Sequence, residues 1–122
     1  MKLAIVGSRN LEKIDVGAYL PQGVCEIVSG GARGIDAIAR EYAQRHGIPI
    51  TEFLPEYARY GRAAPLKRNQ SIADYADEAI AFWDGTSKGT ADTIRRFERL
   101  GKKVTVVLIE AAKEESLLCG HS

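Results

Sequence analysis

The chain has 122 residues, 45% of them apolar and 27% charged, with a formal net charge of +1. That length predicts one domain with a single hydrophobic core. The balanced charge gives no global push toward nucleic acid or a membrane, so any basic binding surface would have to be local. Cys25, placed in an expected buried strand, and Cys119, near the end, make neither a disulfide framework nor a metal set. They fit a reducing cytoplasm. No apolar run approaches the roughly 20 residues of a membrane helix. Met1-Lys2 leads into an apolar segment without a signal-peptide pattern. The expected location is cytoplasmic, with no membrane partner.

Lys2-Leu3-Ala4-Ile5-Val6 predicts a first, central strand, which ends in the polar turn Gly7-Ser8-Arg9-Asn10. Asn10 has the chemistry of an N-cap, and Leu11, Ile14, Ala18 and Tyr19 predict the inner stripe of a helix stopped by Pro21 and Gly23. Residues 24–28, Val-Cys-Glu-Ile-Val, predict a second, buried strand. Ser29-Gly30-Gly31-Ala32-Arg33-Gly34-Ile35-Asp36 follows, and the chain is organised around it. Ile35, Ile38, Ala39 and Tyr42 recur at helical spacing after it. A glycine-rich turn thus joins a strand to a helix N-terminus, where free N–H groups and the helix dipole favour an anion. The same residues also suit a tight turn that holds nothing.

Gly47 closes that helix, and residues 48–54 predict a third strand, placed at a sheet edge by Pro49. Residues 55–64 read as a long irregular connection. Pro65 suits a first helical turn, and Leu66, Asn69, Ile72, Ala73 and Ala76 predict the buried stripe behind it. A buried carboxamide must find partners, so Asn69 either ties down a loop or meets a ligand. Glu78–Trp83 predicts the fourth strand, with Trp83 either in the core or stacked on a base. Asp84-Gly85-Thr86-Ser87-Lys88-Gly89-Thr90 is a second polar turn. A helix with Ile94, Phe97 and Leu100 inward, and a fifth strand over 104–109, complete the pattern.

Alternating strands and helices predict an α/β, Rossmann-like, doubly wound three-layer domain over residues 1–110, with 111–122 as a C-terminal tail. Right-handed crossovers give a five-stranded parallel sheet of order 3-2-1-4-5. Ligands in such sheets bind at the strand carboxyl ends where the order reverses. There the candidate ligand-binding residues converge: Gly7, Ser8 and Arg9; Ser29, Gly30, Gly31, Ala32, Arg33, Gly34 and Asp36; Asp84, Gly85, Thr86, Ser87, Gly89 and Thr90; and Asn69 beside Arg68. Arg9, Arg33 and Arg68 supply charge, and Thr86, Ser87 and Thr90 supply hydroxyls, for one or two phosphates. Asp36 either complements the helix dipole or reaches a ribose hydroxyl. No metal set is present.

The G-x-x-x-x-G-K-[ST] loop and the G-x-G-x-x-G fingerprint are both absent, which disfavours ATP hydrolysis and dehydrogenase chemistry. No Cys–His or Ser–His–Asp set points to a nucleophilic hydrolase. Arg95, Arg96, Arg99, Lys102 and Lys103 form a basic cluster that is either a solvated helix face or a nucleic-acid contact.

The segment from Ser29 to Asp36 resembles the S-G-x-A-R-G-I-D signature of the DprA/Smf proteins, within the SMF/DprA–LOG (SLOG) superfamily. Arg68-Asn69, Ala76-Asp77 and Gly89-Thr90 resemble the R-N, A-D and G-T elements of the same superfamily. Together with Phe82-Trp83-Asp84-Gly85, they resemble its small stand-alone YspA/YpsA-related branch. The resemblance implies a nucleotide-derived ligand of the ADP-ribose, NAD or nucleoside monophosphate type, and a homo-oligomer, dimer or larger. It also implies two alternatives. In the LOG phosphoribohydrolases, an arginine matching Arg68 and a motif glutamate cleave base from ribose 5′-phosphate. Here Arg68 is the catalytic candidate, and Thr93 stands at the glutamate position. In DprA the core binds single-stranded DNA, a partner that the balanced charge disfavours.

Overall fold

A computed structural model describes residues 1–11 and 13–109. The strands are β1 (Lys2–Gly7), β2 (Glu26–Ser29), β3 (Ile50–Glu52), β4 (Glu78–Trp83) and β5 (Val104–Leu108). The helices are α1 (Ile35–Arg45), α2 (Tyr57–Tyr60), α3 (Ala64–Tyr75) and α4 (Lys88–Arg99). All strand pairs are parallel and the order is β3-β2-β1-β4-β5, the doubly wound arrangement expected.

Side chains of a strand alternate between its faces, and β1 shows what this builds. Leu3 and Ile5 pack with Ile27, Ile80 and Phe82 against Ile35, Ala39 and Ala43 of α1. Ala4 and Val6 pack with Val28, Ala79 and Ala81 against Ile72 and Ala73 of α3 and Ile94 and Phe97 of α4. Each large apolar side chain fully buried this way contributes about 1.5–3 kcal/mol. The alanines on the second face let α3 and α4 lie close to the sheet. Lys102 locks the far end of that layer, its Nζ donating to the carbonyls of Ala73 (2.7 Å), Asp74 (3.0 Å) and Ala76 (2.8 Å) at the α3 C-terminus.

Several local expectations need correction. Among the described residues, the first crossover holds no α-helix, only one 3-10 turn, Val16–Tyr19. Leu11 and Val16 reach the core without helical spacing, while Ala18 and Tyr19 are exposed. Gly17 explains part of this, since a Cβ there would lie 2.8 Å from the Tyr42 ring. The chain crosses α1 at the one place where it has no side chain. Cys25 is exposed rather than buried, because β2 starts one residue after it. The connection over 55–64 is not irregular but holds α2 and a 3-10 turn, Gly61–Ala63. Leu100 falls on the exposed cap of α4 rather than on its inner stripe. β5 is an edge strand whose Val106 and Leu108 are exposed. The tail expected over 111–122 lies outside the described residues. Among the described residues, no helix is long and apolar enough to cross a membrane.

Candidate functional site

The carboxyl ends of β1, β2 and β4 lie side by side at the reversal of strand order, and each runs into a turn. After β1, Ser8 is buried, its N–H donating to the Phe82 carbonyl (3.1 Å) and its Oγ accepting from the Asp84 N–H (3.2 Å). One serine thus stitches the first turn to the third. Gly7 is there for passage: a Cβ would meet the Ile35 side chain at 2.5 Å and the Phe82 carbonyl at 2.6 Å.

The glycine-rich turn after β2 closes largely on itself. The Gly31 N–H donates to Ser29 Oγ (3.3 Å), and the Ala32 N–H donates to Asp36 Oδ2 (3.1 Å). Two N–H groups that a phosphate would need therefore have partners inside the loop. Gly34 has φ +74°, and a Cβ on it would overlap the Arg9 backbone. Burial pushes the Asp36 carboxyl above its ordinary value, against the opposing pull of the Ala32 N–H and Arg68.

The turn after β4 is shaped by Asp84, whose Oδ1 accepts from the N–H groups of Thr86 (2.9 Å) and Ser87 (2.8 Å). Burial opposes the Asp84 charge, but these N–H bonds outweigh it and hold the carboxyl below its usual value. Ser87 caps α4, its Oγ accepting from the Thr90 N–H at 3.5 Å and lying 3.2 Å from Thr90 Oγ1. The Trp83 indole N–H donates to the Ser87 carbonyl (2.9 Å) and fixes the same turn. Trp83 packs at the margin of the second core layer.

Arg68 reaches into this junction from α3. Its Nη1 donates to the Gly30 carbonyl (2.9 Å) and its Nε to Asn69 Oδ1 (3.0 Å). Burial pulls the guanidinium below its ordinary value, opposed by the Asp36 carboxylate. Asn69 answers the question its position raises. Its Nδ2 donates to Asp92 Oδ2 (3.1 Å), which also accepts from Arg96 Nε (2.7 Å). Arg96 in turn donates to Gln70 Oε1 (2.9 Å). A guanidinium can only donate and a carboxylate only accept, so the Asn69 amide has one orientation. The chain Arg96–Asp92–Asn69 therefore positions Arg68. Burial opposes the Asp92 charge, but Arg96 and Asn69 hold its carboxyl below the usual value.

These elements enclose a cleft of about 330 Å³, within the roughly 300–1,000 Å³ of small-molecule sites. Of the candidates read from the sequence, Gly7, Arg9, Gly30, Ala32, Asp36, Arg68, Asn69, Ser87, Gly89 and Thr90 line it. Ser8, Ser29 and Asp84 stand behind it and hold the turns. Gly31, Gly34 and Gly85 bend the chain at positive φ, and Arg33 and Thr86 are exposed outside the lining. Val6, Pro65, Leu66, Ile72 and Thr93 also line the cleft, without having been singled out as ligand contacts. The signal was present: 65, 68, 69 and 72 share one face of α3. Leu66, expected in the core stripe, is instead half-exposed at the cleft. Thr93 Oγ1 donates to the Gly89 carbonyl (3.1 Å). Two members of the basic cluster are engaged internally, Arg96 with Asp92 and Lys102 with α3. Among the described residues, no group of three His, Cys, Asp or Glu residues could hold a metal ion.

Fold and cleft together define a doubly wound α/β domain with a cationic pocket at its topological switch point. A model of the YspA, cpYpsA-related SLOG family matches residues 16–60, from the 3-10 turn through β2, the glycine-rich turn, α1 and β3 to α2. The match covers the glycine-rich turn and supports the resemblance, read from the motifs, to the SLOG superfamily and its YspA-related branch. No curated protein and no solved structure gives a significant match.

Proposed function

We propose that the cleft binds a nucleotide-derived ligand by its phosphate. The observation that carries this reading is the convergence of Arg68 with the α4 N-terminus, Ser87 and Thr90 on one cleft at the sheet's switch point. A half-buried guanidinium with two of its five N–H groups in protein bonds keeps donors for a phosphate, and the helix dipole adds to the attraction. The phosphoribohydrolase reading lacks its carboxylate: Thr93 is a hydroxyl bonded to the backbone, and Asp92 is held by Arg96 and Asn69. The single-stranded DNA reading loses two of its five basic residues to internal bonds.

The test is thermal unfolding against AMP, GMP, CMP, ADP-ribose, NAD and a short single-stranded oligonucleotide, for wild type and Arg68→Ala. A ligand at 100 times its dissociation constant stabilises by about 2.7 kcal/mol, which raises Tm by several degrees. Arg68→Ala removes about 1.5–3 kcal/mol of binding if the arginine makes a charge-assisted bond. A shift with a nucleotide that disappears in Arg68→Ala supports the reading, and the same mixtures report any released base. A shift with the oligonucleotide alone, weakened by salt, would replace it with the DNA reading.

A further inference from the structure

A second cavity, about 320 Å³, adjoins the cleft, and Arg68 lines both. α2 and the first half of α3 wall it with Arg59, Tyr60 and Lys67, and Phe53 and Leu54 come from the end of β3. Its lining holds three cations, Arg59, Lys67 and Arg68, against one carboxylate, Glu56. The half-buried Tyr60 ring organises two of them. The Arg59 guanidinium lies 5.0 Å and the Lys67 Nζ 5.6 Å from its centre. Cation–π attraction of this kind holds flexible side chains near one place and lowers the entropy cost of using them. Among the described residues, Glu56 pairs only with Arg59, at 3.6 Å and in an exposed position, so it leaves the excess positive charge in place. Arg68 itself is fixed at the boundary by Gly30 and Asn69.

We infer that the site has two compartments and takes a nucleotide whose phosphate chain continues past Arg68. This rests on the reading above and specifies its ligand. The first phosphate lies between Arg68 and the α4 turn. The next lies beyond Arg68, with Lys67 and Arg59. The ligand class is a nucleoside diphosphate or an ester of one, and a monophosphate fills only the first compartment. Among the described residues, none of the three cations that line the second cavity has a role in the fold beyond Arg68's bonds to Gly30 and Asn69, Arg59's exposed pair with Glu56 and the contacts of Arg59 and Lys67 with Tyr60.

Calorimetric titration of the full chain with AMP, ADP and ADP-ribose tests this, in wild type, Lys67→Glu and Arg59→Glu. Both changes are on exposed side chains, and unfolding curves without ligand verify that each variant folds. ADP or ADP-ribose should bind wild type about tenfold more tightly than AMP, one charge-assisted contact's worth. Lys67→Glu should shrink that preference to about twofold or less. Equal affinity for ADP and ADP-ribose assigns the second compartment to the phosphate alone, and tighter ADP-ribose binding extends it to the ester. AMP binding without any preference, or a preference that survives in both variants, overturns this inference and leaves the nucleotide reading standing. If none of the three binds, this inference falls, and the nucleotide reading rests on the GMP, CMP and NAD arms of the thermal panel.

Discussion

The turn after β2 and the turn after β4 each carry a strand's carboxyl end into a helix N-terminus, and they use their residues in opposite ways. The β2 turn has three glycines and an arginine, yet Ser29 and Asp36 satisfy its Gly31 and Ala32 N–H groups and Arg33 lies outside the cleft. The β4 turn is plainer. Asp84 and Trp83 fix its shape from behind, and Ser87, Gly89 and Thr90 are left at the cleft wall. A conspicuous glycine pattern here marks tight packing. Gly34 crosses the Arg9 backbone, and Gly30 lies against Arg68. Gly30, Ala32 and Asp36 line the cleft as well, but the contacts proposed for the phosphate lie where the chain leaves space.

The largest effect that can break this contrast is on folding. Gly34→Ala puts a Cβ into the Arg9 backbone at φ +74° and should cost about 3 kcal/mol of stability in denaturant titration, at the top of the range for such strain. Unchanged stability would mean that the β2 turn is not structural. Next comes the support beneath Arg68. Asp92→Leu leaves the Asn69 amide and Arg96 without their acceptor and should cost about 2 kcal/mol. It should weaken nucleotide binding further by freeing Arg68 to move, an effect that Asp92→Asn restores in part. Equal binding in Asp92→Leu would remove Asn69 and Asp92 from the site.

Gly89→Ala sharpens the contrast because it is the β4 counterpart of the first change. No atom lies within 4 Å of a Cβ built at Gly89. The variant should be as stable as wild type or more so, by up to about 1 kcal/mol, while its nucleotide affinity falls. The smallest effect is on pH dependence. Asp84's folded value is lowered, so its contribution to stability is complete above the ordinary aspartate value and is lost as pH falls through the lowered one. The stability gap between wild type and Asp84→Asn should therefore be present at pH 7 and close in acid. A gap independent of pH would assign the effect to shape rather than charge.

The sheet was readable because its signals are local and redundant. Glu78–Trp83 is apolar, flanked by Asp77 and Asp84, and forms β4 with those bounds. Pro49 puts β3 at an edge, where it is found. The first crossover misled because Leu11, Ile14 and Ala18 mimic helical spacing. Gly17's need to pass the Tyr42 ring is a tertiary fact that no local pattern carries. The three turns could be placed at one end of the sheet from topology alone. Which of their residues face inward could not, since that depends on bonds such as Ala32 to Asp36 and Asn69 to Asp92. The second cavity was hidden for a related reason: α2 lies in residues 55–64, where nothing in the spacing signals a helix.

The most direct test of the central claim is to follow backbone amide resonances of the ¹⁵N-labelled chain during titration with ADP. The account predicts the largest shifts at Lys88 and Gly89, in the first turn of α4, with the Arg68 side-chain signals moving alongside. Gly31 and Ala32, whose N–H groups are already bonded within their loop, should move less. Dominant shifts from Gly31 to Gly34 with a silent Gly89 would contradict it, and would return the phosphate to the glycine-rich turn.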